Sequence, residues 1–292
     1  RSAITGANAK KWYLLRCRMY ATSSREELRE IFDEMEKDFK GTLKAVKEMG
    51  YDGVEFAGLF DKTAAEAKAL CEENGLVPIS AHVPLDDMVA DPDGVLSVYA
   101  EIGCKYVVVP YLTEERRPGT DGWEKTIADI RVCCEKAKEL GMTMLYHNHD
   151  FEFAKIDGKY ALDILYEAIP ADLLQTELDT CWVNVGGEEP APYVLKYSGR
   201  APVVHLKDFV MKGKGGKLYE LIGIDDDDET AEEDAFSFMP VGSGCQDLPA
   251  ILDASVKAGA QWVVVEQDRP AKGHTPMQSA EIGRENLKKL GW

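Results

Sequence analysis

TMLYHNHDFEF, residues 143–153, opens as a short apolar run with no helical spacing and ends on two histidines, His147 and His149. In an extended backbone residues two apart leave the same face, so both imidazoles point the same way. The unit recurs along the chain: VPISAH ends on His82, QTELD on Asp179, PVVHL carries His205, GVEFA carries Glu55 and WVVVE ends on Glu266. Four of the five histidines therefore stand at or just beyond the end of an apolar run. A single histidine there is more often a hydrogen-bonded rim residue than a ligand. Four, with carboxylates in matching places, point to a metal or acid–base site.

Between these runs lie helical segments. Ser23 and Ser24 supply an N-cap for a helix that ends at Gly50, and further helices are expected at Thr63 to Glu73, around Gly94 to Ile102, Trp123 to Leu140, Ala161 to Ala168, Pro192 to Tyr197, Pro249 to Ala258 and Met277 to Leu290. With a first strand at Trp12 to Cys17, this makes eight strand–helix units. YVVV, PVVH and WVVVE do not alternate, as expected of strands buried on both faces, and buried parallel strands joined by helices predict an α/β fold, a single-domain (β/α)8 TIM barrel over residues 12–292. A doubly wound open sheet competes, but no glycine-rich phosphate loop follows the first strand. Residues 1–11 read as a leader. An acidic insertion at about 211–240, holding KGKGGK and DDDDETAEEDAF, is longer than an ordinary strand-to-helix connection. It lacks calcium-loop spacing and reads as a solvated face, a lid or a subunit contact, which allows a homo-oligomer.

Composition narrows the function. A net charge of −18 repels phosphodiester backbones, so nucleic acid is not expected as a partner. No run approaches the roughly 20 apolar residues of a membrane span, and the N-terminus has no signal-peptide pattern. Seven cysteines, an odd number with no CxxC pair, fit a reducing, cytoplasmic setting.

If each strand delivers its last inward residue to one rim, Glu55, His82, His147, Asp179, His205 and Glu266 gather there. Imidazole with carboxylate suits manganese, cobalt, zinc or iron(II) better than calcium, and the lack of a thiolate argues against a structural zinc site. Lys207 shares a face with His205 and suits a sugar hydroxyl, a phosphate or a developing enolate. Trp182 offers a wall to a sugar ring, and Glu177, one layer below Asp179, orients a ligand. Arg200 and the Gly242–Gly244 turn are further candidate substrate or phosphate contacts.

MGYDGVEFAG, YHNHDFEF, ELDTCWV, GRAPVVHLKD, VGSGCQD and VVVEQD together resemble the xylose-isomerase-like TIM-barrel superfamily, in its sugar phosphate isomerase/epimerase branch. The resemblance implies one divalent metal ion held by Asp179, His205 and Glu266, with His147 where many relatives carry a glutamate. It implies a metal-dependent isomerase or epimerase acting on a sugar or keto-sugar, phosphorylated or not, through an enediol or enolate, with Glu266, His147 and His149 as the proton-transfer groups and Glu55, His82, Trp182 and Lys207 at the substrate. Losing the strand-five carboxylate disfavours a symmetric two-carboxylate epimerase. The same motifs resemble inosose dehydratases, so a lyase on a cyclitol is the alternative; a non-catalytic sugar-binding barrel is another.

Overall fold

Val203, Val204, Val263 and Val264 are all buried, although neighbouring residues on a strand face opposite ways. Only a sheet covered on both faces buries both sets. In the computed structural model, which describes residues 2–4, 39–211 and 236–292, that sheet is a closed barrel of eight parallel strands. They are β1 (Ser2–Ile4), β2 (Gly53–Phe56), β3 (Val77–His82), β4 (Tyr106–Val109), β5 (Thr143–His147), β8 (Leu174–Asp179), β9 (Val203–Leu206) and β12 (Trp262–Val265). Two antiparallel hairpins lie outside it, β6 (Lys155–Ile156) with β7 (Lys159–Tyr160) and β10 (Asp208–Met211) with β11 (Phe236–Met239).

Each expected helix has a counterpart, the first described only from residue 39 on, and two short helices that the sequence does not announce, Leu85–Ala90 and Thr180–Val185, are added. Residues 39–49 form α1, which buries Phe39, Leu43 and Val46 and stops at Gly50 with φ 98°. In α2 (Ala64–Asn74) the Thr63 hydroxyl accepts from the Glu66 amide while the Glu66 carboxylate accepts from the Thr63 amide, and Gly75 ends the helix in the left-handed region. A short α3 (Leu85–Ala90) precedes α4 (Pro92–Ile102); then follow α5 (Trp123–Glu139), α6 (Ala161–Ala168), α7 (Thr180–Val185), α8 (Pro190–Lys196), α9 (Leu248–Ala258) and α10 (Pro276–Lys289).

The barrel interior is layered. Ile79, Tyr106, Val108, Leu145, Val203, Trp262 and Val264 form one apolar cluster, while the alternate residues Val107, Met144, Tyr146, Val204 and Val263 join the larger core against the helices. Two residues further along, the inward positions of β5, β9 and β12 become His147, His205 and Glu266. The apolar plug fixes the strands, and the polar residues stand on top of it.

Some expectations change. Ser2–Ile4, inside the segment read as a leader, takes the strand position between β2 and β12. Three residues carry no alternation to read, and pairing to two neighbours makes them a strand. The strand expected at Trp12 to Cys17 and the N-cap at Ser23 and Ser24 lie outside the described residues, as does most of the acidic insertion. Both ends of that insertion are ordered as the β10–β11 hairpin, with Phe209 against Phe238.

Asp208 anchors that hairpin. Its buried carboxylate accepts from the amides of Phe209 (2.9 Å), Gly242 (2.9 Å), Gly244 (2.8 Å) and Gln246 (3.1 Å). The Gly242–Gly244 turn is thus committed to Asp208 and is not an anion site; a Cβ on Gly244 would lie 2.2 Å from Asp208 Oδ1. Asp208→Ala leaves four amide donors to find new partners and is expected to lower the unfolding free energy by about 3 kcal/mol or more, measured by urea unfolding. A change below about 0.5 kcal/mol would show that water replaces the carboxylate without loss.

Candidate active site

The rim is built at strand ends whose register is set below. His147 pairs with Glu177, and Asp179 with His205. Asp179 ends β8 and begins α7: its Oδ1 accepts from the amides of Cys181 (2.8 Å) and Trp182 (3.1 Å), capping the helix and leaving Oδ2 to face the barrel axis. Asn148 locks the neighbouring turn, accepting from the Asp179 amide at 3.0 Å and donating to its carbonyl at 3.3 Å.

Four of the expected residues converge. His147, Asp179, His205 and Glu266 each present one ligand atom within 4.8 Å of the others. His147 Nε2 lies 3.3 Å from Asp179 Oδ2 and 3.4 Å from Glu266 Oε2, and His205 Nδ1 lies 3.1 Å from Glu266 Oε2. Neither His147 Nε2 nor Asp179 Oδ2 is in a hydrogen bond, though both are buried. Buried donors and acceptors left in this way are rare unless something belongs between them. Two nitrogens and two carboxylate oxygens at this spacing fit a first-row divalent cation with bonds of about 2.0–2.2 Å, so the residues fit the metal that the motifs imply.

Lys207 shares the site. Its Nζ is 2.8 Å from Glu266 Oε2, 3.3 Å from Asp179 Oδ2 and 3.1 Å from Asp268 Oδ2. Asp268 is a residue that sequence reasoning passed over; its signal was the alternation in VEQD, which puts it on the face of Glu266. Burial opposes the ionisation of Glu266, but Lys207 and then His205 outweigh it and hold the carboxyl well below its ordinary range. Burial likewise opposes charge on His147, yet Asp179 and Glu266 raise it to about 9 in the ion-free protein. For His149 burial first, then His147 and Lys207, outweigh Glu266 and push it well down, so it is neutral. Its ring stacks on Phe151 at 5.5 Å, lies 5.4 Å from Trp182 and stands 5.1 Å from His147.

Other expectations shift. Glu55 and His82 do not stand at the rim with the four converging residues. They turn towards Glu177 and the far nitrogen of His205, with His82 Nε2 2.6 Å from Glu177 Oε1 and Ser80 donating to Glu55 Oε2 at 2.6 Å. The Glu55 carboxylate has no solvent exposure; a register shift between Val54 and Glu55 accompanies its placement. Trp182 is buried against Phe209 and Phe238, with Lys207 Nζ 5.4 Å from its ring, so it underlies the site. Arg200 donates to the carbonyls of Leu174, Tyr166 and Ile169 at the start of β8 and the end of α6, away from the rim.

Glu152, also missed, is fully buried in the YHNHDFEF turn, accepting from Tyr146 Oη (2.5 Å) and the His149 amide (2.8 Å). Burial pushes its carboxyl up to about 7, against those bonds. A folded-state value above the unfolded one stabilises below about 4.5, and this contribution disappears as pH rises through about 7. Glu152 is therefore expected to cost the fold about 3 kcal/mol between those limits. Glu152→Gln should flatten that part of the urea-unfolding profile; an unchanged slope would show that the carboxyl is already ionised at acid pH.

Among the described residues no helix is long and apolar enough to cross a membrane, and the six described cysteines are free, with Cys245 alone exposed.

The chain matches the family described as xylose isomerase-like TIM barrel over residues 43–290. It is 23% identical over 272 residues to an inosose dehydratase of Geobacillus kaustophilus, covering 85% of this chain and 86% of that protein. Its fold is similar to a sugar phosphate isomerase/epimerase from Parabacteroides distasonis, with a TM-score of 0.70 and 18% identity over 98% of this chain and 93% of the other. It is also similar to the IOLI protein with a bound zinc atom, with a TM-score of 0.66 and 15% identity over 99% and 97% of the two chains.

Proposed function

We propose that this chain, which belongs to the xylose isomerase-like TIM-barrel family, is a divalent-metal-dependent enzyme that removes a proton beside the carbonyl of a keto-sugar or keto-cyclitol. The observation that carries the reading is the convergence of His147, Asp179, His205 and Glu266 on one centre, with the buried His147 Nε2 and Asp179 Oδ2 in no hydrogen bond. A cation held by these four supplies Lewis-acid polarisation of the carbonyl. The chain's own groups do the rest. Lys207, cationic beside three carboxylates, donates to the oxygen on which negative charge develops. Glu266, kept ionised, accepts the proton. His149, neutral at the rim, relays a proton between the substrate and solvent.

Once the carbanion is delocalised onto oxygen, loss of a hydroxyl from the next carbon gives dehydration. The imidazole at position 147 supports this outcome, because it takes the place of the second carboxylate of a symmetric pair and leaves two unlike groups, Glu266 to take a proton from carbon and His149 to relay a proton to the departing hydroxide. The Geobacillus relative's name agrees with it. Return of a proton to carbon gives epimerisation or isomerisation. That second reading is supported by His147 and Glu266 reaching one centre, 3.4 Å apart.

The two are separated by incubating metal-loaded protein with inososes and keto-sugars in deuterated water. Dehydration gives a product lighter by one water. Epimerisation or isomerisation gives deuterium on carbon in a product that has lost no water. Absence of both, with the ion bound, would leave a sugar-binding barrel without catalysis.

A further inference from the structure

Below the rim lies a second group of four ligand atoms. Glu55 Oε1, His82 Nε2, Glu177 Oε1 and His205 Nε2 lie within 4.8 Å of one another. Four of their separations are short: His82 to Glu177 is 2.6 Å, His82 to Glu55 3.2 Å, His205 to Glu55 3.0 Å and His205 to Glu177 3.1 Å. Each carboxylate oxygen thus faces both imidazoles. A histidine that binds a metal commonly donates its other ring N–H to one carboxylate, and that arrangement would need Glu177 or Glu55 alone. Here there are two carboxylates, both without solvent exposure.

The angles also argue against a simple brace. His82 and Glu177 form a hydrogen bond, but His205 Nε2 and Glu55 Oε1 form none, despite their 3.0 Å approach. Glu177 Oε2 is also buried and unbonded. His147 Nε2 and Asp179 Oδ2 at the rim show the same pattern: nitrogen and oxygen close together, buried, and outside hydrogen-bond geometry. A tetrahedral cage with bonds of about 2.0–2.1 Å has edges of about 3.3–3.4 Å. Three of the four separations reach that size by opening a few tenths of an ångström, and the hydrogen-bonded His82–Glu177 pair by about 0.7 Å.

Charge leads to the same place. Two carboxylates removed from water cost several kcal/mol each unless balanced. Lys207 balances the rim pair, but the groups that face Glu55 are Ser80, His82, His205 and Glu177, of which the two imidazoles supply positive charge only when protonated, and a divalent cation takes the place of those two protons. A divalent cation with two neutral imidazoles makes the layer neutral.

We propose that Glu55, His82, Glu177 and His205 form a second cation site beneath the rim, taking a first-row divalent ion such as zinc, cobalt or manganese. His205 joins the two sites, with Nδ1 towards Glu266 and Nε2 towards Glu55 and Glu177. An ion below fixes the ring that serves the ion above. Two nitrogens with two carboxylates favour these metals over calcium or magnesium, which take oxygen ligands. This proposal rests on the rim reading only in sharing His205.

The test is titration of chelator-stripped protein with Co(II), following the visible absorption of four-coordinate cobalt, with metal content measured after dialysis. His147→Ala/Asp179→Asn, which dismantles the rim site, should keep about one equivalent in a four-coordinate spectrum. Adding Glu55→Gln/Glu177→Gln should remove it. A folded His147→Ala/Asp179→Asn protein, with unchanged circular dichroism, that binds no cobalt would overturn the proposal. Glu55→Gln/Glu177→Gln in the otherwise natural chain provides a second check: it should lose an equivalent that the natural chain holds, and unchanged metal content would reduce the layer to a hydrogen-bonded brace. If the rim variant keeps all of the natural chain's metal, the rim reading fails while the lower site stands.

Discussion

Glu266→Gln is expected to lower turnover of whichever inosose or keto-sugar the protein converts by roughly 10² to 10⁴ without unfolding the protein. Glutamine keeps the shape of the side chain, and its position at the end of β12, above Val264 in the apolar plug, does not depend on the charge. What disappears is an anion that touches Lys207, His205 and His147 within 2.8–3.4 Å. A carboxyl held well below its ordinary range is a ready ligand but a weak base, so the variant also decides between roles. Loss of rate with metal retained makes Glu266 the proton acceptor. Loss of both makes it chiefly a ligand, and moves the acceptor to His149 or to a bound water. Turnover at the natural level would remove it from the reaction altogether.

How far the site could be read beforehand depends on barrel geometry. The strand ends were legible because VVVE, PVVH and TMLYH change abruptly from apolar to ionisable, and an inward position two residues later is still inward. That rule gathers His147, Asp179, His205 and Glu266 together with Glu55 and His82, and the resemblance singles out the first four. The rule cannot say which layer a residue joins, since the strands are staggered around the barrel. Thus Glu177 pairs with His147 while Asp179, two residues on, pairs with His205, and Glu55 and His82 fall below the rim. Asp208 and Glu152 were illegible for another reason. Asp208 is spent on backbone amides and Glu152 on one amide and the Tyr146 hydroxyl, and a sequence does not show where buried donors need acceptors. The strand at Ser2–Ile4 is too short for any pattern and exists through its pairing with β2 and β12.

His147→Ala is expected to weaken metal binding by at least about tenfold, as removal of one supporting group around a metal typically does, whereas His149→Ala should keep the ion and lose rate. The two side chains leave the same face of the chain, but the turn after β5 separates their surroundings. His147 Nε2 lies within 3.4 Å of both Asp179 and Glu266. His149 lies among Phe151, Trp182 and Tyr111 with its amide tied to Glu152. An imidazole set in aromatic rings beside a cationic site resists protonation, which suits a group that relays a proton and does not hold one. Metal content and single-turnover rate measured on the same preparations test the assignment. Metal lost from His149→Ala and kept in His147→Ala would exchange the two roles. Metal kept in both would mean that Asp179, His205 and Glu266 suffice, with water completing the coordination and the pair serving to brace the rim.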